Sequence, residues 1–192
     1  MARIPTPKLE EMSDAQRRVH ERIVASRGNL DGPFAVWLHS PEAADRAQHL
    51  GEFVRYQTSL PGEGRLSELA ILLVARHHCC QAEWSIHEPI ALSKGLEVHI
   101  IDAVRHGQRP AQMAREDAAL YDFVTQLLAD HFVSTQTFDE ALARFGEQTL
   151  VELTLLVGYY SLVAMTLNAF QVAVPSAIAP GLPDCPSFAP DG

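Results

Sequence analysis

An all-α fold is predicted by three observations in this 192-residue chain. Helix-start signals recur at Ser13, Ser40, Ser67 and Thr137, each ahead of a run with apolar residues at helical spacing. No run alternates apolar and polar residues with period two, and no Asn-Gly or Asp-Gly joins two apolar runs, so strands and hairpins lack their signature. Apolar residues make up 47% of the chain, enough for a sizeable core.

The elements follow in order. Ser13-Asp-Ala-Gln16 has the form of a capping box, and Gly28 follows the basic end of the helix it opens. Asn29 to Pro33 reads as a loop, with Phe34-Ala-Val-Trp37 a short apolar anchor. Ser40-Pro41 places a cap before proline at the first helical position, and that helix runs to about Ser59, stopped by Pro61-Gly62. Ser67-Glu68 opens a helix with the apolar run Leu69 to Ala75. The next carries Glu83, Trp84 and His87 and ends near Lys94-Gly95. Pro89 inside it either bends the axis or marks a boundary. A short helix over Glu97 to His106 is closed by Gly107. Further helices cover about Arg115 to His131, then Phe138 to Phe145 behind a capping box at Thr137-Phe-Asp-Glu140, and finally about Glu147 to Val172. Five prolines from Pro175 to Pro190 keep the tail from being helical and suggest an extended arm, wrapping a neighbouring subunit or loose. The chain thus reads as one helical domain over residues 1–174 and a proline-rich tail over 175–192.

Composition narrows the function. The formal net charge is −9 with no basic cluster, which argues against nucleic-acid or anionic-membrane binding. The start Met-Ala-Arg-Ile-Pro has no secretory form, so a cytoplasmic protein is expected. Three cysteines, Cys79, Cys80 and Cys185, are an odd number and suggest reduced thiols rather than a disulfide framework. The uncharged run from Leu153 to Leu167 has 15 residues, short of the roughly 20 that span a bilayer, and reads as a helix buried in the core or between subunits. Glu68-Leu69-x-x-Leu72 echoes as Glu152-Leu153-x-x-Leu156, 84 residues on, by repeat or by chance.

The densest reactive segment is Arg76-His-His-Cys-Cys-Gln-Ala-Glu-Trp-Ser-Ile-His87. On a helix, Cys80, Glu83 and His87 fall within about 60° of one face. Glu83 and His87 are four residues apart, so the carboxylate can orient the imidazole and raise its proton affinity. That is a proton-transfer device or a plain surface pair. His77-His-Cys-Cys80 is a poor metal cluster, because consecutive helical residues are spread by about 100° each. No Cys-x-x-Cys is present. Cys80 is either a lone reactive thiolate or an inert buried thiol. Glu68 either caps its helix or points inward to His87.

Three segments together resemble a known family. Arg65-Leu-Ser-Glu68-Leu-Ala-Ile-Leu, then Glu83-Trp84-x-x-His87, then Gly158-Tyr159-Tyr160-x-x-Val163-Ala164-x-x-x-Asn168-Ala-Phe170 are similar to the carboxymuconolactone decarboxylase family, over residues 60–172. The resemblance implies an AhpD-like all-α bundle assembled as a trimer or hexamer. The AhpD-like peroxidases of that family use Glu, Cys-x-x-Cys and His as a thiol relay. Aligned on His87, this chain supplies Glu68 and Cys80 but has Glu83 in place of the second cysteine. The decarboxylase branch, which uses neither metal nor organic cofactor, resembles it better. The expected function is therefore cofactor-free lyase chemistry on a small carboxylated or lactone metabolite. His87 is the general acid/base, Glu83 its orienting partner, and Glu68 a second acid/base or a structural carboxylate. Arg76 is the candidate grip on a substrate carboxylate, with Trp84 beside it in the binding site, and no metal is expected. The alternatives are a peroxidase using Cys80 alone and a helical ligand-binding oligomer without turnover.

Overall fold

The computed structural model describes residues 2–173 and 181–186. Eight α-helices and no strands are present among them: α1 (Asp14–Arg27), α2 (Phe34–Trp37), α3 (Pro41–Tyr56), α4 (Arg65–His77), α5 (Gln81–Ser93), α6 (Val98–Arg105), α7 (Arg115–Ala129) and α8 (Thr135–Ala169). The all-α expectation holds.

Local chemistry sets most boundaries as expected. Ser13 and Gln16 form a reciprocal capping box at α1, and Gly28 ends that helix with φ 83°, a left-handed turn that costs glycine least. Pro41 opens α3. Two caps lie elsewhere than predicted. Helix α4 starts two residues before Ser67, behind Gly64 in the left-handed region, and Ser67 is buried inside it. Ser134, not Thr137, caps α8, accepting from the Thr137 backbone N–H. The two predicted helices there are one element, bent at the non-helical Gly146.

Helix α4 is the axis of the fold. Every residue from Leu66 to Ala75 is buried, and α5, α6, α7 and α8 pack around it. The sequence placed the last helix either in the core or between subunits. Helix α8 is long and apolar enough to cross a bilayer by length and composition, yet 56% of its most apolar window is buried in the fold, as in a core helix. Its outer face leaves Val151, Leu155, Leu162 and Met165 exposed.

The N-terminal helices form a smaller apolar cluster around Ile23, Phe34 and Leu38. Trp37 joins it to the main core, stacking edge-on to Tyr159 and donating its indole N–H to Thr166 at 3.0 Å. Helices α3 and α8 meet closely at Gly51, where an added Cβ would lie 2.1 Å from the Tyr159 hydroxyl.

The turn between α4 and α5 overturns the expectation of reduced thiols. Cys79 has φ 49°, a left-handed conformation uncommon for a residue with a side chain. It forms a disulfide with Cys185, while Cys80 stays free and buried. Four consecutive residues from His77 to Cys80 thus span a helix end and a turn, not the single helix assumed from sequence. The stretch 181–186 lies against its own chain. The buried Gln81 side chain donates to the Leu182 carbonyl at 2.6 Å and accepts from the Leu182 N–H at 3.0 Å. Arg105 donates to the Gly181 carbonyl. Residues 175–180 and 187–192 of the predicted arm lie outside the described residues.

Candidate active site

Helices α3, α4, α5 and α8 bring Arg55, Glu68, Glu83, His87 and Tyr160 together. Glu68 is on the first turn of α4 and His87 on the second turn of α5, and packing of the two helices puts the His87 Nδ1 2.7 Å from Glu68 Oε2. Arg55, near the end of α3, reaches Glu68 Oε1 at 3.4 Å and donates to the Tyr160 hydroxyl at 2.7 Å. Its Nη1 is also 3.4 Å from His87 Nδ1. That nitrogen cannot accept from Arg55 while donating to a carboxylate. The shorter contact, to Oε2 of a carboxylate whose other oxygen faces the Arg55 guanidinium, places the proton on Nδ1 and leaves Nε2 with its lone pair. Tyr160 stands edge-on to the imidazole, ring centres 5.2 Å apart.

The sequence paired the wrong carboxylate with His87. Glu68, 19 residues away, orients the ring. Glu83, one helical turn away, does not: both of its oxygens are buried and lack a hydrogen-bond partner among the described residues. Spacing of four on a helix makes two side chains neighbours but leaves each free to choose another partner across the interface.

These surroundings push the two groups in opposite directions. Burial drives the Glu83 carboxyl well above its ordinary range, toward its protonated form. Burial also lowers His87, an effect that hydrogen bonding to Glu68 offsets only in part, so the imidazole is neutral. An acid holding its proton and a base lacking one on the same helix face form an acid/base pair.

Both line a cavity of about 270 Å³, walled by the loop after α1, by α5 and by α8. Arg27, Phe34, Arg55, Tyr159 and Tyr160 also face it. Burial pushes the Tyr159 hydroxyl up to about 12. Both tyrosines are buried in this wall. Glu68 sits behind His87 and lines a second hollow of about 280 Å³ with Ser67 and Lys94.

The other candidates lie apart. Cys80 precedes α5 with no exposure, does not line the cavity, and is pushed up to about 12, chiefly by burial. Arg76 points to the far side of α4, where it donates to the Cys185 sulfur at 3.1 Å. Trp84 is fully buried, donates its indole N–H to Glu88 at 2.8 Å, and packs on Gly181. Neither is placed to touch a ligand in the cavity. Among the described residues, no three His, Cys, Asp or Glu side chains are grouped so as to hold a metal ion. Arg55 went unread in the sequence because a basic residue in the last turn of a helix is ordinary dipole chemistry.

No protein-family model and no curated protein matches this sequence. Solved structures do match in shape. A peroxidase-related protein from Silicibacter superimposes with a TM-score of 0.74 at 11% identity, covering 92% of this chain and 93% of that one. A Ralstonia eutropha protein described as an alkylhydroperoxidase AhpD core and peroxidase-related gives 0.73 at 14% identity over the same shares. A debrominase variant in complex with 2,3,4-tribromopyrrole gives 0.70 at 13% identity, covering 90% of this chain and 91% of that one. At these identities the likeness is one of fold, and the fold of this chain is AhpD-like.

Proposed function

We propose that this protein is a cofactor-free, lyase-type enzyme of the carboxymuconolactone decarboxylase kind, acting on a small carboxylated or lactone metabolite. The observation that supports the reading is the split pair in one cavity: a buried, unpartnered Glu83, pushed toward its acid form, beside His87, which is pushed toward its neutral form and held by Glu68. In decarboxylation, the bond to the departing carboxylate breaks and CO2 leaves. The electron pair stays on the former α-carbon, which takes the proton from the Glu83 carboxyl. The resulting carboxylate is reprotonated from water through His87 Nε2. Arg55, held between Glu68 and Tyr160, supplies positive charge near the growing anion. General acid/base groups of this kind contribute roughly 10²–10⁴-fold in rate.

Purified protein screened against lactone and keto-acid carboxylates for CO2 release tests the reading. The His87→Ala and Glu83→Gln variants should each lose about 10²-fold or more in kcat on the substrate found. A His87→Ala enzyme as fast as wild type would end the assignment.

The peroxidase names among the structural neighbours favour a second reading, thiol chemistry at Cys80. Its burial and high thiol pKa weigh against it, since the thiolate is the nucleophile. Peroxide consumption with a thiol reductant should be equal in wild type and Cys80→Ser; a selective loss in the variant would revive this reading. The third, ligand binding without turnover, predicts that the His87→Ala protein binds as well as wild type and that neither releases CO2.

A further inference from the structure

We propose that Arg27 is the anion-recognising residue of the cavity and that the ligand is a small acid with a flat apolar body, its carboxylate held by this guanidinium. The inference rests on reading the cavity as the substrate site, and it names the class of molecule that fits.

The charges around the cavity do not balance without a ligand. Arg55 is compensated by Glu68, and its guanidinium is further used by Tyr160. Both Glu83 oxygens are buried without a partner among the described residues, and burial pushes Glu83 toward its protonated form and His87 toward its neutral form. Asp31 lies on the rim, exposed to water, and no carboxylate lies within ion-pair distance of Arg27 among the described residues. Arg27 is left in the wall without an ion-pair partner among the described residues.

Its geometry fits a carboxylate. The guanidinium lies over the Phe34 ring, 4.6 Å from its centre, which fixes the plane of the fork. The Nε–H is buried with no acceptor among the described residues. One Nη–H makes only a long 3.4 Å contact to the Gln48 carbonyl. A planar group with a free N–H edge binds a carboxylate through two parallel hydrogen bonds, which a lysine at the same place could not do. Arg27 is also the last residue of α1, where the helix dipole favours a cation. The left-handed Gly28 then turns the chain so that residues 29–34 close over the cavity.

The rest of the wall selects the body of the ligand. Phe34, Ile86, Tyr159, Val163 and Leu167 present rings and branched aliphatics. About 270 Å³ holds one ring with a short substituent rather than a nucleotide or a peptide.

Calorimetric titration with benzoate and with its uncharged analogue benzamide tests the proposal. Wild type should bind benzoate at least about tenfold more tightly than benzamide, a difference of about 1.4 kcal/mol. Arg27→Gln should bind both alike, and Arg27→Lys should recover only part of the preference. Unchanged melting temperatures of both variants show that folding is intact. His87→Ala should keep the benzoate preference, so a failed catalytic assignment and a failed anion subsite give different results. No benzoate binding by wild type at millimolar concentration, equal affinity for the two probes, or undiminished benzoate preference in Arg27→Gln would each overturn it.

Discussion

Glu83 keeps its proton because its carboxylate, once buried, would find neither water nor a hydrogen-bond donor. That arrangement has a pH signature. The unfolded chain releases this proton as pH rises through the ordinary 4.5, whereas the folded protein retains it, so stability is full below that value and falls above it. Glu83→Gln removes the liability. Its melting temperature should match wild type near pH 4 and exceed it increasingly toward pH 8, with a slope of up to about 1.4 kcal/mol per pH unit. A variant that melts below wild type at pH 8 would show that Glu83 is ionised and paired. His87 acts at the other end of the range. Its folded pKa is depressed, so below the ordinary 6.5 the unfolded chain takes up a proton that the native state refuses, and stability falls with acid. Imidazole resonances of the folded protein should therefore titrate below pH 6.5, which NMR reads directly. The sequence showed that His87, Glu83 and Glu68 belong together; it could not show which carboxylate holds the ring. That choice depends on the crossing of α4 and α5, which residue spacing within one helix does not encode.

Helices are the scale at which the sequence was most legible. Capping boxes, prolines at first turns and glycines at last turns are local, and they placed the starts of α1 and α3 to the residue. The starts of α4 and α8 were misread for a shared reason: Ser67 and Thr137 look like caps, but neighbours three residues upstream fill that role. The echo between Glu68 and Glu152 gains a physical meaning at this scale. Both are buried carboxylates on packed helices, and both hold the end of α3 and the segment after it. Glu68 holds Arg55, and Glu152 accepts from the Ser59 N–H and hydroxyl at 2.6 and 2.8 Å. The close approach of α3 to α8 at Gly51 sets where Arg55, one turn on, enters the site. Gly51→Ala drives a methyl into the Tyr159 hydroxyl, and the helices must separate. A loss of roughly 1–3 kcal/mol in denaturant unfolding is expected, together with weaker activity. Gly158 faces open space in the single chain, and Gly158→Ala should be neutral or stabilising there, by up to about 1 kcal/mol.

For the whole molecule, a homo-oligomer, trimer or hexamer, remains our proposal, now resting on a different face. The sequence reading placed the burial on every side of α8. In the fold α4 is the helix covered all round, because four others surround it, and α8 lies at the edge. Its exposed residues Val151, Leu155, Gly158, Leu162 and Met165 are spaced by four, three, four and three, the pattern of a seam between helices. Sedimentation at micromolar concentration should give a mass that is a multiple of 21.2 kDa, and Leu162→Glu should lower it. A single species near the chain mass would remove the proposal. Such a seam would also reverse the expectation at Gly158, where a methyl would then push two copies apart.

The bond between Cys79 and Cys185 closes the polypeptide into a covalent lasso whose ends are 106 positions apart in sequence. Helices α5 to α8 lie inside the noose and α1 to α4 hang outside it. Closing a loop of this size removes about 4.7 kcal/mol of chain freedom from the unfolded state. That restraint applies directly only within the noose. Glu83, His87, Tyr159 and Tyr160 are within it; Arg27, Arg55 and Glu68 are not. Partial denaturation in the oxidised protein should therefore fray the arginine-bearing half first. A protease cut anywhere within the noose would leave two fragments that migrate as one band until reductant is added.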